Sequence, residues 1–203
     1  MKIALLGATG NVGSRILIEA ENRGHEITAI ARRPDTIAPR PRVTPQRGDI
    51  TNETALGRLL SGHDAVISAV KFLRSDAALV IRAVKSSGVS RLLVVGGAGS
   101  LEVAPGVALV DTPQFPAEYK REALAGRNWL HSLQAEASLH WTFLSPSALL
   151  IPGTRTARFR LGRDELLVDA AGQSHISIED FAMALIDELE NPRHARQRFT
   201  VGY

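Results

Sequence analysis

The chain has 203 residues, of which 44% are hydrophobic and 22% charged, and this composition predicts one folded domain over residues 1–203. It contains no cysteine, which excludes disulfide bonds, thiolate metal sites and a cysteine nucleophile. The net charge is +3, aromatic residues make up only 5%, and no basic run is interleaved with aromatics, so we expect no nucleic-acid partner.

The first part of the chain alternates strand and helix patterns. Helical spacing of apolar residues predicts helices at 12–23, 52–61, 75–87, 117–137 and 181–189. Apolar runs predict strands at Lys2–Leu6, Glu26–Ala31, 65–70, Arg91–Val95 and 141–144. A short third strand is expected at Val43–Arg47, which ends at Gly48-Asp49. Apolar strands separated by amphipathic helices are typical of a doubly wound α/β fold of the Rossmann type, a mainly parallel sheet with helices on both faces.

Two segments depart from this alternation. Residues 97–116 form a long irregular connection, which at that length is either functional or mobile. Past residue 152, weak alternation predicts a hairpin of strands 155–161 and 165–168, then a last strand at 198–201. Ser177 and Asp180 fit a capping box before the last helix, with Asp where Glu is usual. We expect this tail to be a small extension on the substrate side of the sheet.

Membrane and metal sites are not indicated. The apolar run at the N-terminus is too short for a signal peptide, and no apolar stretch approaches the roughly 18 residues that cross a membrane. The six histidines show no paired ligand spacing, so no metal site is predicted. We expect a cytoplasmic protein without a membrane partner.

A glycine-rich turn follows the first predicted strand, with the sequence Gly7-Ala8-Thr9-Gly10-Asn11-Val12-Gly13. Gly7 allows a tight turn, Gly10 leaves the backbone open to a pyrophosphate, and Gly13 allows the helix to pack close to the sheet. The free N–H groups of the first helical turn and the helix dipole favour phosphate there. The strand–turn–helix context predicts a dinucleotide site; the alternative is a tight turn without a ligand.

The end of the second strand bears on the choice of cofactor. Enzymes that use NAD place an acid there to hold the ribose hydroxyls, whereas this chain has Arg32 and Arg33. Paired arginines favour the 2′-phosphate of NADP, so we predict NADP(H) over NAD(H); the alternative is two solvated arginines. Asp49, followed by Ile50 after the third strand, suits the adenine amine or caps the next helix.

These motifs, together with Gly96-Gly97-Ala98-Gly99-Ser100 and the tail from Pro152 to Tyr203, resemble the atypical short-chain dehydrogenase/reductases. The most similar group is the NAD(P)H-binding, NmrA-like and NADH-flavin reductase family, to which biliverdin reductase B is related. The resemblance implies a Rossmann fold, a nicotinamide cofactor and hydride donation. The predicted cofactor-binding residues are Gly7, Thr9, Gly10, Asn11, Val12, Gly13, Arg32, Arg33, Asp49, Ile50, Ala69, Val70, Gly96 and Gly97.

The catalytic pair of the typical short-chain dehydrogenases is not present. Those enzymes use Tyr-x-x-x-Lys, in which the lysine lowers the pKa of the tyrosine so that it can pass on a proton. Here Tyr119 is followed four residues later by Ala123, and Lys120 is its neighbour on the helix, pointing elsewhere. Ser100 sits where related enzymes place a catalytic serine, or is an ordinary loop serine. The catalytic candidates are Ser100, Tyr119 and Lys120.

Three functions agree with these features. The first is an NADPH-dependent oxidoreductase that passes hydride to a flavin, a quinone or a similar small planar acceptor, in a pocket walled by residues 97–116 and 145–153. The second, suggested by the missing Tyr-x-x-x-Lys pair, is a non-catalytic NADP(H) sensor of the NmrA type. The third is sugar-nucleotide or isoflavone-type chemistry, for which the chain is short. The expected assembly is a monomer or a homodimer.

Overall fold

The computed structural model describes residues 1–203. Its five helices are α1 (Asn11–Asn22), α2 (Glu53–Leu60), α3 (Ala77–Ser86), α4 (Ala117–Gln134) and α5 (Ile178–Glu190). Its strands are β1 (Lys2–Leu6), β2 (Glu26–Ala31), β3 (Val43–Arg47), β4 (Ala65–Ser68), β5 (Arg91–Val95), β6 (Glu102–Ala104), β7 (Val107–Ala108), β8 (His140–Pro146), β9 (Leu149–Ile151), β10 (Arg160–Gly162), β11 (His175–Ser177) and β12 (Gln197–Gly202).

One eight-stranded sheet organises the molecule, in the order β10-β12-β8-β5-β4-β1-β2-β3. All neighbouring pairs in it are parallel except β10 with β12, which run antiparallel. From β1 the chain builds outward to β3 and then returns to add β4 and β5 on the other side. The strand order therefore reverses between β1 and β4, the position where open α/β sheets bind ligands.

The residues of β1 show why helices cover both faces, because side chains alternate along a strand. Ile3 and Leu5 pack in one buried cluster with α1 and α5, whereas Ala4 and Leu6 pack in a second cluster with α2, α3 and α4. All four side chains are almost completely buried. The prediction of a mainly parallel, doubly covered Rossmann-type sheet is confirmed.

The predicted boundaries agree with the structure for β1, β2, β3 and β5, and differ by a few residues elsewhere. The connection 97–116 is not wholly irregular, because it contains the short antiparallel pair β6 and β7. The predicted hairpin of 155–161 with 165–168 is wrong. Only Arg160–Gly162 forms a strand, and it pairs with β12 instead of with the residues that follow it. Local alternation gives no information about such a distant partner.

A two-stranded sheet was not predicted. β9 and β11 run parallel, with Leu149 opposite His175 and Ile151 opposite Ser177. Each strand has three residues, too few for alternation to be recognised. Their pairing joins the segment after β8 to the start of α5. It thereby positions the residues that follow β8 at the carboxyl edge of the sheet. None of the helices combines the length and the apolar character that crossing a membrane requires.

Candidate functional site

A groove of about 530 Å³ lies at the carboxyl ends of β1, β2, β3 and β4, where the strand order reverses. Because these strands are parallel, the loops that follow them meet at one edge of the sheet. The groove is lined by Gly7, Thr9, Gly10, Ile30, Ala31, Arg32, Gly48, Asp49, Ile50, Thr51, Ala69, Val70, Lys71 and Arg74.

The glycines of the turn after β1 have different surroundings. Gly7 has φ = +81°, and a Cβ there would lie 2.7 Å from the carbonyl oxygen of Ala69. A Cβ on Gly13 would lie 2.1 Å from the carbonyl oxygen of Gly7, so the start of α1 fits against the turn only without a side chain. Gly10 is exposed and lines the groove, and a Cβ added there would have one neighbour within 4 Å, Gly7 O at 3.4 Å. A side chain on Gly10 would therefore occupy the groove.

The first turn of α1 is left open to a ligand. Its N-cap is Gly10, no side chain accepts from the N–H groups of the turn, and the turn contains no acidic residue. In contrast, α2, α3 and α5 are capped by Asn52, Asp76 and Ser177. Free N–H groups and the positive end of the helix dipole together suit the phosphates of a dinucleotide.

Three cationic side chains border the groove: Arg32 after β2, and Lys71 and Arg74 after β4. The single carboxylate is Asp49, which accepts hydrogen bonds from Thr51 N at 2.9 Å and Thr51 Oγ1 at 2.8 Å. These bonds hold the pKa of Asp49 below its usual value, so the groove keeps one fixed negative charge. Asp49 does not cap α2, because Asn52 does so by accepting from Ala55 N.

Several predicted cofactor residues lie at the groove, and others do not line it. The residues at the groove are Gly7, Thr9, Gly10, Arg32, Asp49, Ile50, Ala69 and Val70. Asn11, Val12 and Gly13 lie behind the turn in the first helical residues. Arg33 is exposed outside the groove.

Gly96 lies at the end of β5, and its surroundings are those of a packing residue. It is buried, its N–H donates to Leu144 O at 2.8 Å, and a Cβ there would lie 2.5 Å from the Phe143 ring. The glycine therefore allows β5 and β8 to approach. The next residue, Gly97, borders a second cavity.

This second cavity, the apolar pocket, has a volume of about 380 Å³ and lies beside the groove at the carboxyl ends of β5 and β8. Lys71 of the groove is followed directly by Phe72 of the pocket, so the two cavities are neighbours along the 69–72 segment. The pocket is lined by Phe72, Gly97, Ala98, Gly99, Leu109, Thr112, Gln114, Phe115, Pro116, Tyr119, Glu122, Ala123, Ala148 and Leu149. Its walls come largely from the two segments that the sequence indicated, 97–116 and 145–153, with α4 as a third wall.

The three catalytic candidates do not meet in this pocket. Tyr119 lines it and is 63% exposed. Lys120, the next residue of α4, is exposed and not part of the lining. Ser100 ends the 3-10 turn Ala98–Ser100, and its Oγ accepts from Arg198 Nη1 at 3.4 Å instead of lining the cavity.

The segment 152–158, which we call the strap, ties the region after β9 to α1 and α5. Arg155 donates to both carboxylate oxygens of Glu19, at 2.8 and 2.9 Å. Asp180 accepts from Thr156 N and Ala157 N, both at 2.9 Å, and thereby supports the left-handed φ of +58° at Ala157. Because β9 contributes Leu149 to the apolar pocket, the strap fixes that wall to the helix that begins at the glycine turn.

Sequence reasoning missed Lys71, Phe72, Arg74 and Glu122. The signal available was the sequence Lys71-Phe72-Leu73-Arg74 directly after a predicted strand, at the same sheet edge as the glycine turn. Nothing local indicated Glu122, whose carboxylate accepts from Phe72 N at 2.6 Å and Leu73 N at 3.2 Å, 50 and 49 residues away in sequence. Only the packing of α4 against the 3-10 turn Phe72–Arg74 brings these groups together.

Comparison with solved structures agrees with this arrangement. A protein of Burkholderia pseudomallei, described as a proposed exported protein, is 44% identical with a TM-score of 0.90, and each chain is covered completely. A proposed epimerase of Bacteroides thetaiotaomicron is 43% identical with a TM-score of 0.95, covering 100% of this chain and 96% of the other. A proposed NADH-flavin reductase of Streptococcus pneumoniae is 34% identical with a TM-score of 0.86, covering 100% and 99%.

The same fold carries NADP in a more distant protein. A short-chain dehydrogenase/reductase of Veillonella parvula, solved in complex with NADP, is 21% identical with a TM-score of 0.79, covering 100% of this chain and 94% of the other. At this identity the similarity shows the fold alone.

Sequence comparison gives the family. The Bacillus subtilis (strain 168) protein YwnB, described as uncharacterized, is 42% identical over 211 residues, covering 99% of this chain and 98% of the other. Residues 7–192 match the family described as NAD(P)H-binding, from the first glycine of the turn to the end of α5. The chain therefore belongs to the NAD(P)H-binding family.

Proposed function

We propose that the protein is an NADPH-dependent oxidoreductase that passes hydride to a small planar acceptor held in the apolar pocket. The observation that carries this proposal is the position of that pocket. It adjoins the cation-lined groove through Lys71 and Phe72, at the carboxyl edge where Rossmann-type sheets hold their ligands. A nicotinamide extending from the groove toward Gly97 would lie beside an acceptor in the pocket.

The residues of the groove fit NADP(H). The turn Gly7–Gly13 and the open first turn of α1 would hold the pyrophosphate, since they present N–H groups without a competing side chain. Arg32 would bind the 2′-phosphate through charge-assisted hydrogen bonds, because no acid stands at the end of β2 to bind unmodified ribose hydroxyls. Bound NADPH supplies the hydride.

The chain's own part in the reaction is to hold the acceptor and limit the access of water. The apolar pocket offers the ring of Phe72 as a flat contact surface, and this ring stacks on that of Phe143 with 6.0 Å between the ring centroids. The acceptor gains a hydride with its electron pair and one proton from solvent, in exchange for oxidation of NADPH to NADP⁺. A quinone leaves as a hydroquinone and a flavin as a dihydroflavin. Such a transfer depends mainly on positioning, which agrees with the missing Tyr-x-x-x-Lys pair.

The names of the relatives differ in the activity that they give, and one of them supports hydride transfer to a flavin. The protein of Streptococcus pneumoniae is described as a proposed NADH-flavin reductase, and that of Bacteroides thetaiotaomicron as a proposed epimerase. The lining of the apolar pocket favours a planar ring over the sugar-nucleotide alternative, because a sugar would need several polar side chains and this lining is mostly apolar.

The test is a two-step assay. NADPH and NADH are first titrated by fluorescence to establish binding, and NADPH oxidation is then followed at 340 nm with riboflavin, FMN and a soluble naphthoquinone. We expect tighter binding of NADPH than of NADH, and turnover with at least one acceptor. Confirmed NADPH binding without turnover on any acceptor would contradict the proposal and favour the sensor. A sensor should also bind NADPH and NADP⁺ with different affinities.

A further inference from the structure

The charge that lines the apolar pocket is negative. Among the 14 lining residues there is no lysine, arginine or histidine, and the one carboxylate is Glu122. Glu118, an exposed acid in the first turn of α4, adds a second negative charge one helical turn away. Lys120 and Arg121 follow on the same helix, but neither belongs to the lining. The neighbouring groove has the opposite character, with Arg32, Lys71 and Arg74 at its border.

The two cavities therefore differ in the ligands that they suit. A phosphate group is bound by cations or by free backbone N–H groups, and both are present in the groove. In the apolar pocket the nearest helix start is that of α4. Its first turn also has no side-chain cap, but it contains the acid Glu118, whose negative charge opposes the binding of an anion there. A phosphorylated ligand in this pocket would meet like charge in surroundings of lowered dielectric constant.

The unused polar groups of the pocket suit a neutral ring with carbonyl groups. The hydroxyl of Thr112 donates to Leu109 O, and Glu122 accepts from the backbone of Phe72 and Leu73, so both are engaged. The side chains of Gln114 and Tyr119 line the pocket without a hydrogen bond inside the chain. An amide N–H and a phenol O–H are donors for ring carbonyl oxygens.

Resting on the proposed function, we propose that the apolar pocket selects uncharged planar redox acceptors and discriminates against phosphate-bearing flavins. Quinones and unphosphorylated isoalloxazines share this chemistry: a flat ring, carbonyl oxygens and no net charge. The phosphates of the site are those of the dinucleotide, which the groove holds. Hydride passes from the bound NADPH to the neutral ring, and the ring takes its proton from solvent.

Riboflavin and FMN provide the first test, because they carry the same ring and differ by one phosphate. Each is titrated by flavin fluorescence against the protein alone and against the protein with NADP⁺, so that no turnover is involved. We expect riboflavin to bind about tenfold more tightly than FMN, and FMN binding to strengthen as salt screens the repulsion. Equal or tighter binding of FMN, FMN binding weakened by salt, or no binding of either ring would overturn the proposal.

A charge variant tests the cause. Gln114→Lys adds a cation to the pocket, and Gln114→Met is the matched uncharged control of similar length. We expect the ratio of the FMN and riboflavin dissociation constants to be at least threefold smaller in the lysine variant than in the methionine variant. The same narrowing in both variants, or in neither, would contradict charge selection.

The turnover arm separates this proposal from the proposed function. NADPH oxidation is compared with 1,4-naphthoquinone and with its 2-sulfonate, a neutral and an anionic ring of one kind. The comparison uses KM, because the electron-withdrawing sulfonate by itself makes the quinone a better hydride acceptor. A lower KM for the neutral quinone supports both proposals. A lower KM for the sulfonate keeps the oxidoreductase proposal and overturns charge selection. If neither quinone nor any flavin is reduced, the oxidoreductase proposal fails, and the flavin titrations still decide whether the pocket prefers neutral rings.

Discussion

At the scale of single residues, the two arginines after β2 show how neighbours in sequence acquire different positions. Arg32 and Arg33 are equivalent candidates for a 2′-phosphate when only the sequence is known. In the structure Arg32 borders the groove, whereas Arg33 is exposed outside it and its carbonyl oxygen accepts from Thr36. Successive side chains of an extended backbone point to opposite sides, so only one of the pair faces the ligand.

We therefore expect Arg32→Ala to weaken NADPH binding by about 2–3 kcal/mol and NADH binding much less, since a charged hydrogen bond to phosphate is lost. Arg33→Ala is the matched control, with an expected effect below about 0.5 kcal/mol on either cofactor. Fluorescence titration of both cofactors measures the change. Equal losses of NADPH affinity in the two variants would show that bordering the groove does not decide which arginine binds the cofactor.

Tyr119 and Glu122 also differ from what their types suggest. Tyr119 is the catalytic candidate that lines the apolar pocket, yet its hydroxyl makes no hydrogen bond within the chain. Glu122 lines the same pocket, but its carboxylate holds the backbone of Phe72 and Leu73. Its role is to position the turn that divides the groove from the pocket. A residue's type thus suggests its chemistry, and its partners decide how that chemistry is used.

At the scale of elements, the start of α5 shows a motif used in an unexpected way. Ser177 Oγ accepts from Asp180 N at 3.0 Å, so the serine caps the helix as predicted. Asp180 does not complete the capping box. Its side chain is fully buried and accepts from the strap and from Tyr203 Oη, at 2.7 Å. The shorter side chain in place of Glu therefore serves a contact between elements.

Low pH should weaken the hydrogen bonds that the Asp180 carboxylate accepts. Burial alone would raise the pKa of Asp180, but hydrogen bonds from Thr156, Tyr203 and Ala157 outweigh it and hold the pKa below its ordinary 3.8. A lowered folded pKa stabilises the native state above the unfolded value, and this stabilisation is lost as the pH falls through the folded pKa. We expect Asp180→Asn to cost about 1.5–3 kcal/mol of unfolding free energy at pH 7.

Urea unfolding at a series of pH values checks this expectation. The difference between wild type and Asp180→Asn should shrink below about pH 4. Tyr203→Phe, which removes one donor to the carboxylate, should cost about 1 kcal/mol. A difference between wild type and Asp180→Asn that stays constant down to pH 2 would show that the charge of Asp180 does not matter.

At the scale of the whole molecule, a buried charged cluster joins the sheet to α5 at the end opposite the ligand site. Glu188, 4% exposed, accepts from Arg91 Nη2 at 3.0 Å and from Thr142 Oγ1 at 3.3 Å. It also accepts from the His194 backbone N–H at 3.0 Å. Burial lowers the pKa of Arg91, and the carboxylate of Glu188 opposes this effect. The cluster connects β5, β8 and α5, which are far apart in sequence.

Glu188→Gln should therefore lower the unfolding free energy by about 3–5 kcal/mol, because it leaves the buried guanidinium of Arg91 without its counter-charge. Glu53→Gln breaks the exposed pair with Arg82 and should cost less than about 1 kcal/mol. Both are measured by urea unfolding, followed through the buried tryptophans Trp129 and Trp141. Similar losses of unfolding free energy in the two variants would show that burial does not increase the contribution of this cluster to stability.

The sequence was sufficient for features that depend on neighbouring residues. The apolar residues of β1, β2 and β5 predicted strands with the observed bounds, and the spacing of the glycines predicted the turn. Backbone geometry explains why the glycines predicted the turn. Gly7 has a φ of +81°, and a Cβ on Gly13 would lie 2.1 Å from Gly7 O, so other residues are excluded at both positions. Runs of three residues, such as β9 and β11, carry too little periodicity to be recognised.

What the sequence determined by itself was the sheet, the glycine turn and the kind of ligand that such a turn suits. Only the tertiary structure decided which side chains meet: Arg32 without Arg33 at the groove, Lys71 and Arg74 beside it, and Glu122 holding the turn at Phe72. The physical reason is the range of the forces involved. Backbone conformation and apolar periodicity are local, whereas a pocket and its charge balance arise from residues that only the packing of the helices on the sheet brings together.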